Sequence, residues 1–83
     1  MMKSKTNSLR VGKYIFRPTK YNNEGNLYCA IYRNSSHGEK CKLTFLYKFD
    51  TETYEIIWVE NDWLNHNHKK LLNFFLKEYN WYE

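Results

Sequence analysis

Three histidines, two cysteines and a set of carboxylates are the side chains of this chain whose types suit catalysis or metal binding. The densest string is His66-Asn67-His68. On a helix, residues i and i+2 point roughly 200° apart, so these two imidazoles cannot chelate one ion there. In a loop they could share a metal with a third ligand such as His37 or Asp62. The alternative places His68 in an apolar helical stripe, with His66 beside it facing solvent.

Cys29 and Cys41 have 11 residues between them and are the only cysteines, so neither a four-sulfur nor a Cys2His2 zinc set can be assembled. A cysteine nucleophile needs a base beside it. No local signature brings His37 to either thiol, and Cys41 reads as a small core residue. The carboxylates Glu52, Glu55, Glu60 and Asp62 fall at a turn or where a helix start attracts acids. Gly12, Gly25 and Gly38 are isolated and form no phosphate loop. The expectation is a protein that is not an enzyme and uses no cofactor and no metal.

The elements that carry these residues read as one α+β domain, a four-stranded antiparallel β-meander with a single C-terminal amphipathic helix packed on one face. Residues 1–9 are polar and aperiodic and read as a flexible basic tail, with the domain spanning 10–83. Strand one is expected over Val11 to Tyr21, with Tyr14 and Phe16 on one side and Lys13, Ile15 and Arg17 on the other. Pro18 cannot donate to a ladder and places this strand at an edge, or ends it early. Asn22 to Asn26 has the composition of a hairpin loop.

Leu27 to Arg33 is apolar on both sides, as an interior strand should be. Lys40 to Asp50 alternates most cleanly, with Cys41, Leu43, Phe45, Tyr47 and Phe49 against Lys40, Lys42, Thr44, Leu46 and Lys48. Tyr54 to Val59 is the fourth strand, with Tyr54, Ile56 and Trp58 opposed to Glu55, Ile57 and Val59. After Glu60 the period changes. Leu64, His68, Leu71, Leu72, Phe75 and Tyr79 recur every three or four residues, the stripe of a helix of four to five turns capped by Asn61 or Asp62. That helix is expected to cover the face of Cys41, Leu43, Phe45 and Tyr47.

Charge then separates the halves. Residues 1–48 hold ten bases and two acids, a balance of +8, while residues 49–83 hold three bases and seven acids, a balance of −4. Such polarity suggests a polyanionic or acidic partner for one face, or else a solvated sheet whose lysines discourage aggregation. Eight tyrosines, five phenylalanines and three tryptophans make large rings available both to a small core and to the surface. The candidate site is therefore the open face of the sheet: Lys13, Arg17, Tyr28, Tyr32, Arg33, Lys40, Lys42 and Lys48. Bases interleaved with rings on an exposed sheet suit single-stranded nucleic acid.

The apolar members Ile15, Leu46 and Ile57 equally suit a protein interface, either a homodimer or a host protein or nucleoprotein complex. Ten Asn and ten Lys suggest AT-rich coding DNA. A phage or mobile-element inhibitor that occludes a host enzyme or defence complex, such as a CRISPR-type assembly, is the alternative reading of function. The opening residues lack the apolar core of an export signal, so the expected location is the cytoplasm, with both thiols reduced. No apolar run approaches the roughly 20 residues that span a bilayer, so no membrane partner is expected.

Overall fold

The computed structural model describes residues 8–60, 63 and 68–79. Five strands follow one another in sequence and in space: β1 (Leu9–Val11), β2 (Tyr14–Tyr21), β3 (Leu27–Ser35), β4 (Gly38–Lys48) and β5 (Thr53–Val59). All neighbours are antiparallel, and a helix, α1 (His68–Glu78), completes the fold. The α+β meander read from the sequence is thus present with one strand more than expected.

The extra strand comes from Gly12. It takes a φ of +58° and, with Lys13, turns the chain so that Val11 pairs with Tyr14. A glycine at the first position of a two-residue loop is what a type II′ hairpin requires. The single expected strand over 11–21 is therefore two, and Leu9, expected in the tail, already pairs with Phe16. Further along, Asn22 closes the next loop by accepting the Glu24 and Asn26 amides on Oδ1, both at 2.9 Å.

The register shifts once in each of the three longer strand pairs, at Thr19 in β2, Lys42 in β4 and Ile57 in β5. Such bulges bend and twist a strand, and each shifts the alternation of side chains by one position. Near Pro18, which has no N–H to give, the Thr19 hydroxyl donates to the Tyr28 carbonyl at 3.0 Å.

The core lies between the sheet and α1. Phe16, Leu27, Cys29, Ile31, Leu43, Phe45 and Tyr47 from the strands meet Trp63, Leu72, Phe75 and Tyr79. Rings dominate it: Phe16 has centroids of Tyr79, Phe75 and Phe45 at 4.8, 5.6 and 5.9 Å. Leu71, Leu72, Phe75 and Tyr79 of the expected stripe face this core. Leu64, the Asn61 or Asp62 cap and His66 lie outside the described residues.

Trp63, not anticipated as core, is buried with its ring edge-on to Tyr14 at 5.5 Å. Its amide donates to the Glu60 carbonyl at 2.8 Å. Its own carbonyl accepts from His68 Nδ1 at 2.9 Å. His68, the first residue of α1, is thereby tied to Trp63.

Two expectations about faces are corrected by the bulges. Cys41 pairs with Tyr32 rather than continuing the run of Leu43 and Phe45, and it is absent from the core cluster. Trp58 lies opposite Thr44 instead of sharing the side of Tyr54 and Ile56, which pack on the core. The extra residues at the bulges, Lys42 and Ile57, are what displaces them.

Candidate binding face

The side of the sheet away from α1 is where the expected site residues must be located. Because cross-strand partners share a face, the pairs Ile15–Tyr32, Arg17–Ala30, Tyr28–Leu46, Ala30–Thr44, Thr44–Trp58 and Leu46–Glu55 trace it from β2 to β5. Burial decides which residues of β3 face away from α1. Cys29 and Ile31 are in the core, so Tyr28 and Tyr32 point to the helix-free side. Ile15 and Ala30 are buried on that side without joining the main core, sheltered by their longer cross-strand neighbours.

Of the eight expected residues, Arg17, Tyr28, Tyr32 and Lys48 occur together there. Lys13 sits in the β1–β2 turn, where its carbonyl accepts the Asn34 amide at 2.6 Å. Arg33 pairs with both Tyr14 and Lys40, which places it in the register of the helix side at the end of the sheet. Lys40 goes with it, and its Nζ reaches Glu60 at 3.2 Å. Lys42, expected on the open face, is 7% exposed and is bound through Nζ to the other oxygen of Glu60. Burying a lysine so far from water is costly unless a carboxylate pairs with it. In return the Lys42 hydrogen bond, helped by Lys40, holds the Glu60 carboxyl below its ordinary range.

The remaining cations of the face are also matched. Arg17 forms a fork with Glu39, Nη1 to Oε1 at 2.9 Å, and stands over the Tyr32 ring with its guanidinium carbon 5.1 Å from the centroid. Lys48 meets Glu55 at 3.3 Å. Lys20 lies 6.0 Å from the centroid of Tyr28, a residue the sequence reading did not place in the site. Four of the described bases of the first half, Arg17, Lys40, Lys42 and Lys48, are therefore held in ion pairs. Arg17, Lys40, Lys42 and Lys48 each have a carboxylate within reach, and two of those carboxylates, Glu55 and Glu60, come from the acidic half.

Sequence reasoning anticipated Leu46 and Ile57 as apolar members of this face and missed Trp58. Trp58 is 48% exposed and Ile57 is 54% exposed, side by side on β5, with Leu46 half-buried next to them. The bulge that turns Trp58 outward leaves no signature in the sequence. The face thus runs from a ring-and-cation end at β2–β3 to an apolar end at β4–β5.

Both thiols are free. Burial raises the pKa of each, that of Cys29 well above the ordinary thiol range, so at neutral pH neither is a thiolate, the form that attacks or ligates. Among the described residues no three His, Cys, Asp or Glu side chains are grouped as a metal would need, and no helix is long and apolar enough to cross a membrane. Comparison with known protein families, curated proteins and solved structures gives no match.

Proposed function

We propose that this protein is a non-catalytic binding module that engages a partner protein, free or within a nucleoprotein complex, through the helix-free face of its sheet. The observation that carries this reading is the composition of the face. Exposed Trp58 and Ile57 adjoin Leu46, Tyr28 and Tyr32, while Arg17 and Lys48 are held by Glu39 and Glu55. Trp, Tyr and Arg are the residue types that dominate binding energy when an interface closes over them. Internally compensated charges contribute specificity and registration more than long-range attraction to a polyanion. An inhibitor that covers part of a host enzyme or defence complex is a form of this reading that a small cytoplasmic protein can fulfil.

The test is a nuclease-treated pull-down from host lysate with the wild-type protein and Trp58→Ala. One stoichiometric protein retained by the wild type and lost with Trp58→Ala supports the proposal. Retention that disappears with nuclease sinks it.

A nucleic-acid reading keeps one specific observation in its favour, the placement of Arg17 over Tyr32 and of Lys20 near Tyr28. Rings backed by cations can stack bases while meeting phosphates. Oligonucleotide affinity should then fall steeply with salt and with Arg17→Ala/Lys20→Ala. Absence of binding below roughly 10⁻⁴ M at low salt removes this reading.

A further inference from the structure

Among the described bases of residues 1–48, Arg10, Lys13, Lys20 and Arg33 stand outside the ion pairs. Lys20 lies near the Tyr28 ring. The other three are exposed and fall at one end of the sheet. The fold brings them there. The turn at Gly12 and Lys13 is tied to the end of β3 by the Asn34 amide, which donates to the Lys13 carbonyl at 2.6 Å. Arg33 lies opposite Tyr14, the residue after Lys13, and Tyr14 lies opposite Val11, the residue after Arg10. With adjacent strands about 4.8 Å apart, the Cα atoms of the three bases lie within roughly 10 Å of one another. The carboxylates of the neighbouring strands at this end are already taken, Glu39 by Arg17 and Glu60 by Lys40 and Lys42. Asn34, Ser36 and His37 of the adjoining β3–β4 end are exposed as well.

We propose that this turn end is a separate binding surface that holds the sugar–phosphate backbone of a nucleic acid through Arg10, Lys13 and Arg33. The choice of occupant follows from what the end carries and what it lacks. Protein partners are anchored by rings and apolar side chains at the centre of the interface. The exposed large hydrophobic residues, Ile57, Trp58 and Phe74, all lie elsewhere, so attraction at this end comes from charge. Arg and Lys backed by Ser, Asn and other polar donors are the groups that contact phosphate oxygens and fix a protein on a nucleic acid without reading its sequence. This surface goes beyond the open-face readings. It grips a backbone, whereas Tyr28 and Tyr32 would stack bases, and it gives the protein-binding module a contact to the nucleic-acid part of a nucleoprotein complex.

The experiment titrates the full chain into fluorescein-labelled DNA duplexes of unrelated sequence, follows anisotropy, and repeats the titration as salt is raised. If each of the three cations neutralises one phosphate, log affinity falls against log salt with a slope of about −2.7. Affinity should therefore drop about 40-fold between about 50 and 200 mM salt, equally for every sequence.

Arg10→Gln/Lys13→Gln/Arg33→Gln should remove nearly all of that salt dependence, while Arg10→Lys/Arg33→Lys, which keeps the charge, should retain it. The three side chains are exposed, so both variants should melt as the wild type does. No binding at the lowest salt, a slope unchanged by the triple substitution, or equal affinity for polyglutamate of matched charge each overturns the phosphate surface. Binding that is lost with Tyr28→Ala/Tyr32→Ala and untouched by the triple substitution overturns it in favour of the open face.

Discussion

Phe74 and Phe75 are neighbours on α1 with opposite surroundings, and truncating each to alanine separates packing from helix propensity. Phe75 is fully buried and stacks on Phe16 with centroids 5.6 Å apart. Phe74 is 43% exposed and touches Phe75 edge-on at 6.0 Å. Either substitution improves intrinsic helix propensity by about 0.5 kcal/mol. Phe75→Ala also leaves a cavity in a ring-dominated core, for which the usual loss is about 3–5 kcal/mol. The expected net destabilisation is about 3–4 kcal/mol.

Phe74→Ala loses roughly half of a side-chain transfer term and opens no cavity, leaving about 0.5–1 kcal/mol. A domain of this size has about 4–12 kcal/mol to lose, at about 0.05–0.15 kcal/mol per residue. With a urea m-value of about 1 kcal/mol/M, Phe75→Ala should lower the denaturation midpoint by about 3 M or leave the protein unfolded. Phe74→Ala should move it by less than about 1 M. Equal midpoints for the two variants would refute the claim that α1 is seated on Phe16 through Phe75.

Other consequences follow from the turns, the ion pairs and the thiols. Glu60 has a folded-state pKa below its ordinary 4.5 because Lys42 donates to it, so its contribution is present above that value and is lost as pH falls through the lower folded value. Glu60→Gln should therefore be less stable than wild type at pH 7, with the gap closing toward pH 3 in acid titrations followed by circular dichroism; a gap independent of pH refutes the pairing. Glu52 occupies a left-handed φ of +54°, so Glu52→Gly should raise stability by about 0.5–1 kcal/mol, the relief of strain less the added chain entropy. Thermal melts that drop instead would show the turn to be held by the Glu52 side chain. With iodoacetamide at pH 8, Cys41, half-buried beside Tyr32, should react before buried Cys29, and equal rates would contradict their separate faces.

Much of the fold was legible because it is written in local chemistry. Alternation over residues 40–49, the Asn-rich loop at 22–26 and the three-and-four spacing of Leu71, Leu72, Phe75 and Tyr79 each reflect a single element meeting a single apolar layer. The fifth strand was missed because Val11 to Tyr14 alternates smoothly through Gly12, and only the backbone shows that glycine in a left-handed turn. The candidate face was legible in Arg17, Tyr28, Tyr32 and Lys48 and misread elsewhere for one cause. A bulge inserts a residue without changing residue types, so strict alternation placed Cys41 in the core, Lys42 in solvent and Trp58 under the helix, each one position out of phase.

Charge fails as a sequence signal for a related reason. Summing residues over half the chain assumes that like charges in sequence stay together in space, yet an antiparallel meander lays β4 against β5 across the boundary between the two halves. That adjacency delivers Glu55 of β5 to Lys48 and Glu60, just past β5, to Lys40 and Lys42, so acids of the second half meet bases of the first. Arg17 of β2 is likewise held by Glu39 of β4. A charge sum over half the chain therefore overstates the charge that the helix-free face presents, because the pairing of strands, and not the order of residues, decides which charges meet.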